Sequence, residues 1–375
     1  MRRWVVLAFL LVACSQTTGS PVAGATASPA QSAATPIPDL PLTNVDLSCR
    51  LPVIDSSNSG IDPPLFAGGF VTFPAAALAP DSAGGVRLGS NGDLTTEASP
   101  TLHNDRSALR GTPFYDRAQR RWVPASPSQS TPDGAFYAYA TWDPSTPSRA
   151  RVHIVNVGTA TEKVFDVAVP DNAMGFTVAD FDSQGVYLLS NAFEQLPSGV
   201  WLMDATSGAL RELVQVTFVE AVRGGYAWAA RIDPRDPSPP QLRRSGTSSN
   251  SVVRVDLATG AKTTWFYRPG LQVDTIGFDS RSRPIIQVSH PDGSGRSETW
   301  LVNDPGGDGS SLIYAGGLFI WEPQADGDRL WFGGGTSFRG TTGIYLYTQT
   351  HGLQKVFAFT QGKPDHVITP VGFCA

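Results

Sequence analysis

Four polar side chains, Asn172, Glu220, Asp274 and His366, stand near the starts of four separate apolar runs. Oxygen ligands and an imidazole drawn from separate segments can hold a divalent cation, and a cation so held can activate water. If those runs line a common tunnel, the chemistry is that of a metal-dependent hydrolase or lactonase. A wet tunnel also needs a polar lining when no chemistry occurs there. A second set sits in long connections: Trp142, Asp143, Arg149, Phe193, Arg235, Arg296, Phe338 and Arg339. Aromatic platforms and guanidinium forks suit recognition of a protein surface or of a carboxylated or phosphorylated envelope polysaccharide. The alternative for this set is a group of solvated loops with ordinary solubilising charge. No His-Glu-x-x-His, Gly-x-Ser-x-Gly or phosphate-loop pattern occurs, so no catalytic residue is assigned from a motif. The five histidines fall in different segments, none with a partner at ligand spacing.

The three cysteines bear on address and closure. Met-Arg-Arg and the apolar run Trp4 to Ala13 precede Cys14. Ten apolar residues are too few to cross a hydrocarbon core of roughly 30 Å, so residues 1–13 read as an export signal. Leu11-Val12-Ala13-Cys14 resembles the lipobox of bacterial lipoproteins, which implies that Cys14 is lipidated and becomes the mature N-terminus. Membrane attachment through that lipid is then expected, on the outer side of the cytoplasmic membrane or at the cell surface. Cys49 and Cys374 remain, in an exported chain where disulfides persist, and they are expected to bond to each other. Residues 14–45 are nearly all Ser, Thr, Ala, Gly and Pro and read as a disordered tether with too few apolar groups to fold. Residues 46–375 contain no further break in composition and read as one domain.

Charge narrows the function classes. Two arginines leave with residues 1–13, so 26 basic groups face 33 acidic ones, a balance of −7. A nucleic-acid partner is not expected on that balance.

The elements that position these residues are repeats. The unit Gly199 to Leu213 places a polar anchor, Asp204, at the end of an apolar run and a glycine four residues later. It recurs with anchors Asp116, Asn156, Asp256, Asn303 and Thr348, at intervals of 40, 48, 52, 47 and 45 residues. Runs rich in Val, Ile, Trp and Tyr suit a buried strand, and glycine at Gly208, Gly260, Gly307 and Gly352 suits a tight turn. A further apolar run lies upstream of each hairpin, giving four strands per repeat and the period of a propeller blade. The fold class is all-β: a six-bladed β-propeller, its ring closed by the C-terminal strand (His366 to Phe373) in the first blade. Seven blades is the alternative, because residues 49–111 leave room for another repeat.

Thr131-Pro132-Asp133-Gly134-Ala135-Phe136-Tyr137-Ala138-Tyr139-Ala140, followed by Val152-His153-Ile154-Val155-Asn156, resembles a blade of TolB-like six-bladed propellers. The resemblance covers roughly residues 130–357 and implies a blade type rather than an activity. TolB proteins are periplasmic and dock onto an outer-membrane lipoprotein through a fold that also carries a separate N-terminal domain. The combined expectation is an envelope lipoprotein whose propeller recognises a protein or polysaccharide without catalysis, and the alternative is the tunnel metallohydrolase.

Overall fold

The computed structural model describes residues 39–57, 67–81, 83, 87–88, 94–95, 113–142, 149–170, 173, 175–190, 199–236, 249–290, 295–336, 341–359 and 366–375. Cys14, the signal segment and most of the expected tether lie outside them. The architecture is all-β, built from antiparallel sheets that follow one another along the chain. In the first sheet the C-terminal strand β28 (His366–Pro370) pairs with β1 (Cys49–Ser57), followed by β2 (Ala67–Phe73) and β3 (Ala77–Pro80). Two short pairs follow, β4 (Arg87–Leu88) with β5 (Leu94–Thr95) and β6 (Phe114–Asp116) with β7 (Arg121–Val123). The second sheet holds β8 (Phe136–Trp142), β9 (Arg149–Asn156) and β10 (Glu162–Ala168). A 3₁₀ turn, Pro127–Gln129, and a bridge from Ser130 to Tyr137 stand beside β8, where the other sheets have a further strand.

The third sheet is β11 (Phe176–Asp182), β12 (Gly185–Ser190), β13 (Gly199–Met203) and β14 (Leu210–Gln215). The fourth is β15 (Val219–Arg223), β16 (Tyr226–Arg231), β17 (Ser251–Asp256) and β18 (Lys262–Tyr267). The fifth is β19 (Gln272–Phe278), β20 (Pro284–Ser289), β21 (Ser297–Leu301) and β22 (Ser311–Gly316). In the sixth, β23 (Phe319–Ile320) and β24 (Gln324–Asp326) both pair with β25 (Arg329–Gly335), followed by β26 (Gly343–Thr348) and β27 (Gly352–Ala358).

One part of the sequence-based layout changes. The segment around Asp116 is a hairpin, but β6 and β7 pair only with each other, and the outer hairpin of the first sheet is β2–β3. The unit at Asp116 imitates the repeat because its carboxylate closes a local turn, accepting from Gln119 N at 2.7 Å. Such a turn forms whether or not its strands join a larger sheet.

Asp204 and Asp256 act as the spacing predicted and Asn156 does so in part, whereas Asn303 Nδ2 donates to Gly309 O and Gly307 N bonds to Asp304 O instead. Asp204 Oδ1 accepts the N–H groups of Thr206 (2.9 Å) and Ser207 (2.6 Å), while Gly208 N donates to Asp204 O at 2.9 Å with φ +76°. Asp256 repeats this with Ala258 and Thr259 (2.9 and 2.8 Å), and Gly260 holds φ +72°. Asn156 accepts from Thr159 N at 2.9 Å, but the left-handed position is filled by Ala160, φ +53°. The outer hairpins β13–β14, β17–β18, β21–β22 and β26–β27 share a second feature. Each carries a bulge in its last strand, at Leu213, Trp265, Ile313 and Val356.

Packing links successive sheets. Ala138 and Val152 of the second share a core with Val178 and Leu188 of the third. Tyr187 and Val200 of the third meet Val222 and Ala227 of the fourth. Trp228 and Phe266 meet Val273 and Ile286. Ile285 and Leu301 meet Phe332 and Tyr345. Trp331 and Ile344 of the sixth sheet meet Leu51 and Val71 of the first. Burying one such large side chain contributes about 1.5–3 kcal/mol. Cys49 and Cys374 form the expected disulfide, with Cα atoms 5.4 Å apart. A crosslink spanning 325 residues restricts the unfolded chain, an effect usually measured at about 2–4 kcal/mol.

The end of the segment assigned to the tether is docked. Asp39 Oδ2 accepts from Lys355 Nζ (2.5 Å) and Thr342 Oγ1 (2.9 Å), and its Oδ1 accepts from Tyr345 OH (2.7 Å). Leu42 bridges Lys355 in parallel, beside β27, and Leu40, Val45 and Leu47 pack against the cores of the last and first sheets. Composition marks this stretch as polar and small, but it does not reveal that its one acid has a buried lysine to meet.

Candidate functional site

Three acids stand on the first strands of adjacent sheets: Asp180 on β11, Glu220 on β15 and Asp274 on β19. These strands carry bulges at Ala179, Glu220 and Ile276, and a bulge re-aims the side chain of the extra residue. Glu220 is itself that residue. Its Oε2 accepts from Thr275 N of the next sheet at 2.9 Å. Burial pushes its carboxyl up to about 7, with the Thr275 N–H opposing the rise and the neighbouring Asp274 adding to it. Asp274 is raised by burial, while Gln272 Nε2 donates to its Oδ2 at 2.9 Å and works the other way. Asp180 is only 5% exposed, and burial lifts it to about 7 although Arg223 Nη1 lies 3.9 Å away. Acids poised near neutrality can both give and accept a proton.

The structure therefore brings together two of the four residues proposed as cation ligands, Glu220 and Asp274. Asn172 lies outside the described residues, as does the side chain of His366, whose backbone opens β28. Among the described residues no three His, Cys, Asp or Glu side chains converge as metal ligands. The sequence reading missed Asp180, because it sits in mid-strand among apolar neighbours.

The recognition set divides differently. Trp142 ends β8 and Arg149 opens β9 with an exposed side chain. Arg296 is exposed immediately before β21. Asp143, Phe193, Phe338, Arg339 and the side chain of Trp142 lie outside the described residues. Arg235 is not an open fork. Its Nε and Nη2 hold Asp233 Oδ1 and Oδ2 at 2.9 and 2.6 Å, and the hydrogen bonds from Arg235 pull buried Asp233 down to about 2. Asp233 N donates to Asn250 Oδ1 at 2.7 Å, and Asn250 Nδ2 donates to Asp236 Oδ2. The two ends of the 233–250 connection are thereby tied together. A sequence shows a loop arginine but not the acid two residues away that binds it.

Hydroxyls secure this end of the sheets as well. Two residues ahead of β17, Ser249 Oγ donates to Val273 O of the next sheet at 2.6 Å. Two residues ahead of β26, Thr341 Oγ1 accepts from Ile368 N at 2.7 Å. Between the fourth and fifth sheets Arg268 lies over Phe266 (4.3 Å) and Trp300 (4.9 Å). Trp300 Nε1 donates to Glu298 Oε2 at 2.8 Å, and His290 Nε2 is 3.9 Å from Glu298 Oε1. This guanidinium, aromatic and carboxylate group was not singled out from the sequence, since its members come from two strands and two connections.

His153 is the strand residue expected, but it has partners that the sequence reading did not single out. It is 2% exposed, with Nε2 2.9 Å from Thr141 Oγ1 and Nδ1 2.9 Å from Glu162 Oε1. Its ring lies flat on Tyr139, with centroids 4.4 Å apart and planes 5° apart. Alternation along β8 and β9 places Tyr139, Thr141 and His153 on one face, although the partner Glu162 comes only with β10.

No protein family matches the chain, and no curated protein matches it. Among solved structures it is similar to TolB from Acinetobacter baumannii, at 12% identity and a TM-score of 0.39 over 88% of this chain and 68% of that one. It is similar to the β-propeller domain of the Trilobed protease from Pyrococcus furiosus, at 8% identity and a TM-score of 0.41 over 86% and 85%. A third likeness is to the acylaminoacyl peptidase of Pyrococcus horikoshii, at 10% identity and a TM-score of 0.37 over 59% of this chain. The match spans 37% of the peptidase's length.

Proposed function

We propose that the chain is an exported, lipid-anchored six-bladed β-propeller whose role is non-catalytic recognition of an envelope protein or polysaccharide. The six sheets of three or more strands among the described residues are the blades, and β28 in the first sheet closes the ring. Shared cores between successive sheets, and between the sixth and the first, support that arrangement.

The observation that carries the recognition reading is the division between the two ends of the sheets. At one end the turn anchors consume their own backbone donors. At the other, the second-to-third connections carry Trp142, Arg149, Arg235 and Arg296; Asp233, Asn250 and Ser249 fix the base of the 233–250 connection, and Thr341 fixes that of the connection before β26. Rigid bases under long connections suit a binding surface. The Arg268, Trp300 and Glu298 group adds an aromatic platform with charge of both signs.

Crosslinking in intact cells tests this. A reproducible protein or glycan adduct on residues 142–151 or 233–250 is expected, lost on Trp142→Ala and weakened on Arg235→Ala. Adducts that survive both changes, or none on those segments, would sink the reading. Cys14→Ser is expected to release the protein from the membrane fraction.

A second reading has one observation in its favour: Glu220 and Asp274 adjoin on neighbouring first strands with raised proton affinities. In it they hold a divalent cation with Asn172 and His366, and the chain hydrolyses an ester or lactone. Purified protein would then bind one added manganese or calcium ion per chain, and Glu220→Gln would abolish that binding.

A further inference from the structure

We propose that Thr141, His153 and Glu162 form a hydroxyl–imidazole–carboxylate relay that makes Thr141 Oγ1 an acyl acceptor for small activated esters. The three side chains lie on one face of the second sheet. Tyr139 stands opposite His153 across β8 and β9, Thr141 is diagonal to His153 on β8, and Glu162 is diagonal to it on β10. Both links measure 2.9 Å. Hydroxyl to imidazole and imidazole to orienting carboxylate, each within hydrogen-bond reach, is the arrangement that activates a weak nucleophile.

The surroundings settle the proton positions. Tyr139 OH donates to Glu162 Oε1 at 2.6 Å, and burial with this carboxylate beside it raises the phenol well above its usual range, so that it stays a donor. The carboxylate oxygen is an acceptor for both neighbours, which places the imidazole hydrogen on Nδ1. Nε2 then presents its lone pair, and Thr141 Oγ1 donates into it. Stacking on Tyr139 prevents the ring from turning away. The base is sealed at 2% exposure, whereas Thr141 is part-exposed and the Glu162 side chain is 31% exposed, so solvent reaches both ends of the relay but not its middle.

The step balances within the residues named. Thr141 Oγ1 bonds to the ester carbonyl carbon and its proton passes to His153 Nε2. The bond from that carbon to the leaving alkoxide breaks, and the alcohol departs with the proton from Nε2. Water reverses the sequence, giving a carboxylic acid and restoring the hydroxyl.

The test uses the full chain with p-nitrophenyl acetate, read by peptide mass spectrometry and by release of nitrophenol. One acetyl group on the peptide carrying Thr141 is expected. It should be absent in Thr141→Ala, retained in Thr141→Ser, and formed on the order of 10²-fold more slowly in His153→Gln. If His153→Gln does not fold, Glu162→Gln gives the same reading, with slowed acetylation expected. Acetyl groups only on lysines or the N-terminus, or an unchanged rate in a folded His153→Gln or Glu162→Gln, would overturn the relay.

Discussion

Asp204 and Asp256 sit at exposed hairpin turns, while Asp180 and Glu220 sit on first strands against neighbouring sheets, and their environments shift the four carboxyl groups in opposite directions. The turn acids are lowered, first by backbone N–H bonds from residues two and three ahead. The strand acids are raised to about 7, first by burial. A hydrogen-bonded carboxylate in water is favoured as the anion, whereas a carboxylate removed from water is favoured as the acid. The turn acids therefore hold local structure together, and the strand acids are chemical groups that the fold keeps at some cost to stability near neutral pH.

The largest expected effect separates the two classes by pH. A raised acid contributes stability that is fully present below its unfolded value, roughly 4, and is lost as pH rises through its folded value of about 7. Denaturant unfolding should therefore show wild-type stability declining from about pH 4 to pH 7 and levelling above it. Asp180→Asn and Glu220→Gln should flatten that decline and raise stability at the alkaline end, each by up to about 3 kcal/mol. Asp204 should give wild type the opposite limb, which Asp204→Ala should lose. Its stabilisation is present above the unfolded value and disappears as pH falls through the lowered one. Equal pH profiles for the strand and turn variants would remove the distinction.

The same contrast explains what could be read from the chain alone. Asp204, Asp256 and Asn156 bond to backbone two or three residues ahead, so their spacing to the following turn residue already contains the geometry. Cys49 and Cys374 were legible because the remaining alternatives were few. Glu220 meets Thr275, 55 residues on, and Asp180 meets Arg223 in the next sheet, pairings that depend on how bulged strands face one another. His153 was legible as a strand residue, but Glu162 joins it only through the register of β9 with β10. Asp39 was read as tether for the same reason, since Lys355 is 316 residues away. The hairpin at Asp116 shows the converse limit, because a local turn signal identifies a hairpin but not the sheet it belongs to.

A pair of glycines sharpens the turn half of the comparison. Gly208 and Gly260 occupy the same turn position at φ +76° and +72°. A methyl on Gly208 would run into the Phe165 ring, whereas one on Gly260 would meet nothing within 4 Å. Gly260→Ala should therefore cost only the left-handed backbone, about 1 kcal/mol. Gly208→Ala should cost that and the displacement of a ring from the second sheet, about 2–3 kcal/mol together. Equal losses in thermal unfolding would mean that the turns are isolated from neighbouring sheets.

The smallest effect tests whether the anchor alone defines the turn. Ala160 holds φ +53° where Gly208 and Gly260 stand in other repeats, and Asn156 O still accepts its N–H at 2.8 Å. The left-handed conformation costs an alanine about 1–2 kcal/mol, of which glycine's greater unfolded-state freedom returns about 0.5–1. Ala160→Gly should accordingly stabilise by about 0.5 kcal/mol, seen as a small rise in the denaturant midpoint with unchanged slope. A loss instead would mean that the alanine methyl makes contacts outweighing its backbone strain. In that case the repeat at Asn156 would be held by packing, and its anchor would be less than the turn-forming element that Asp204 and Asp256 are.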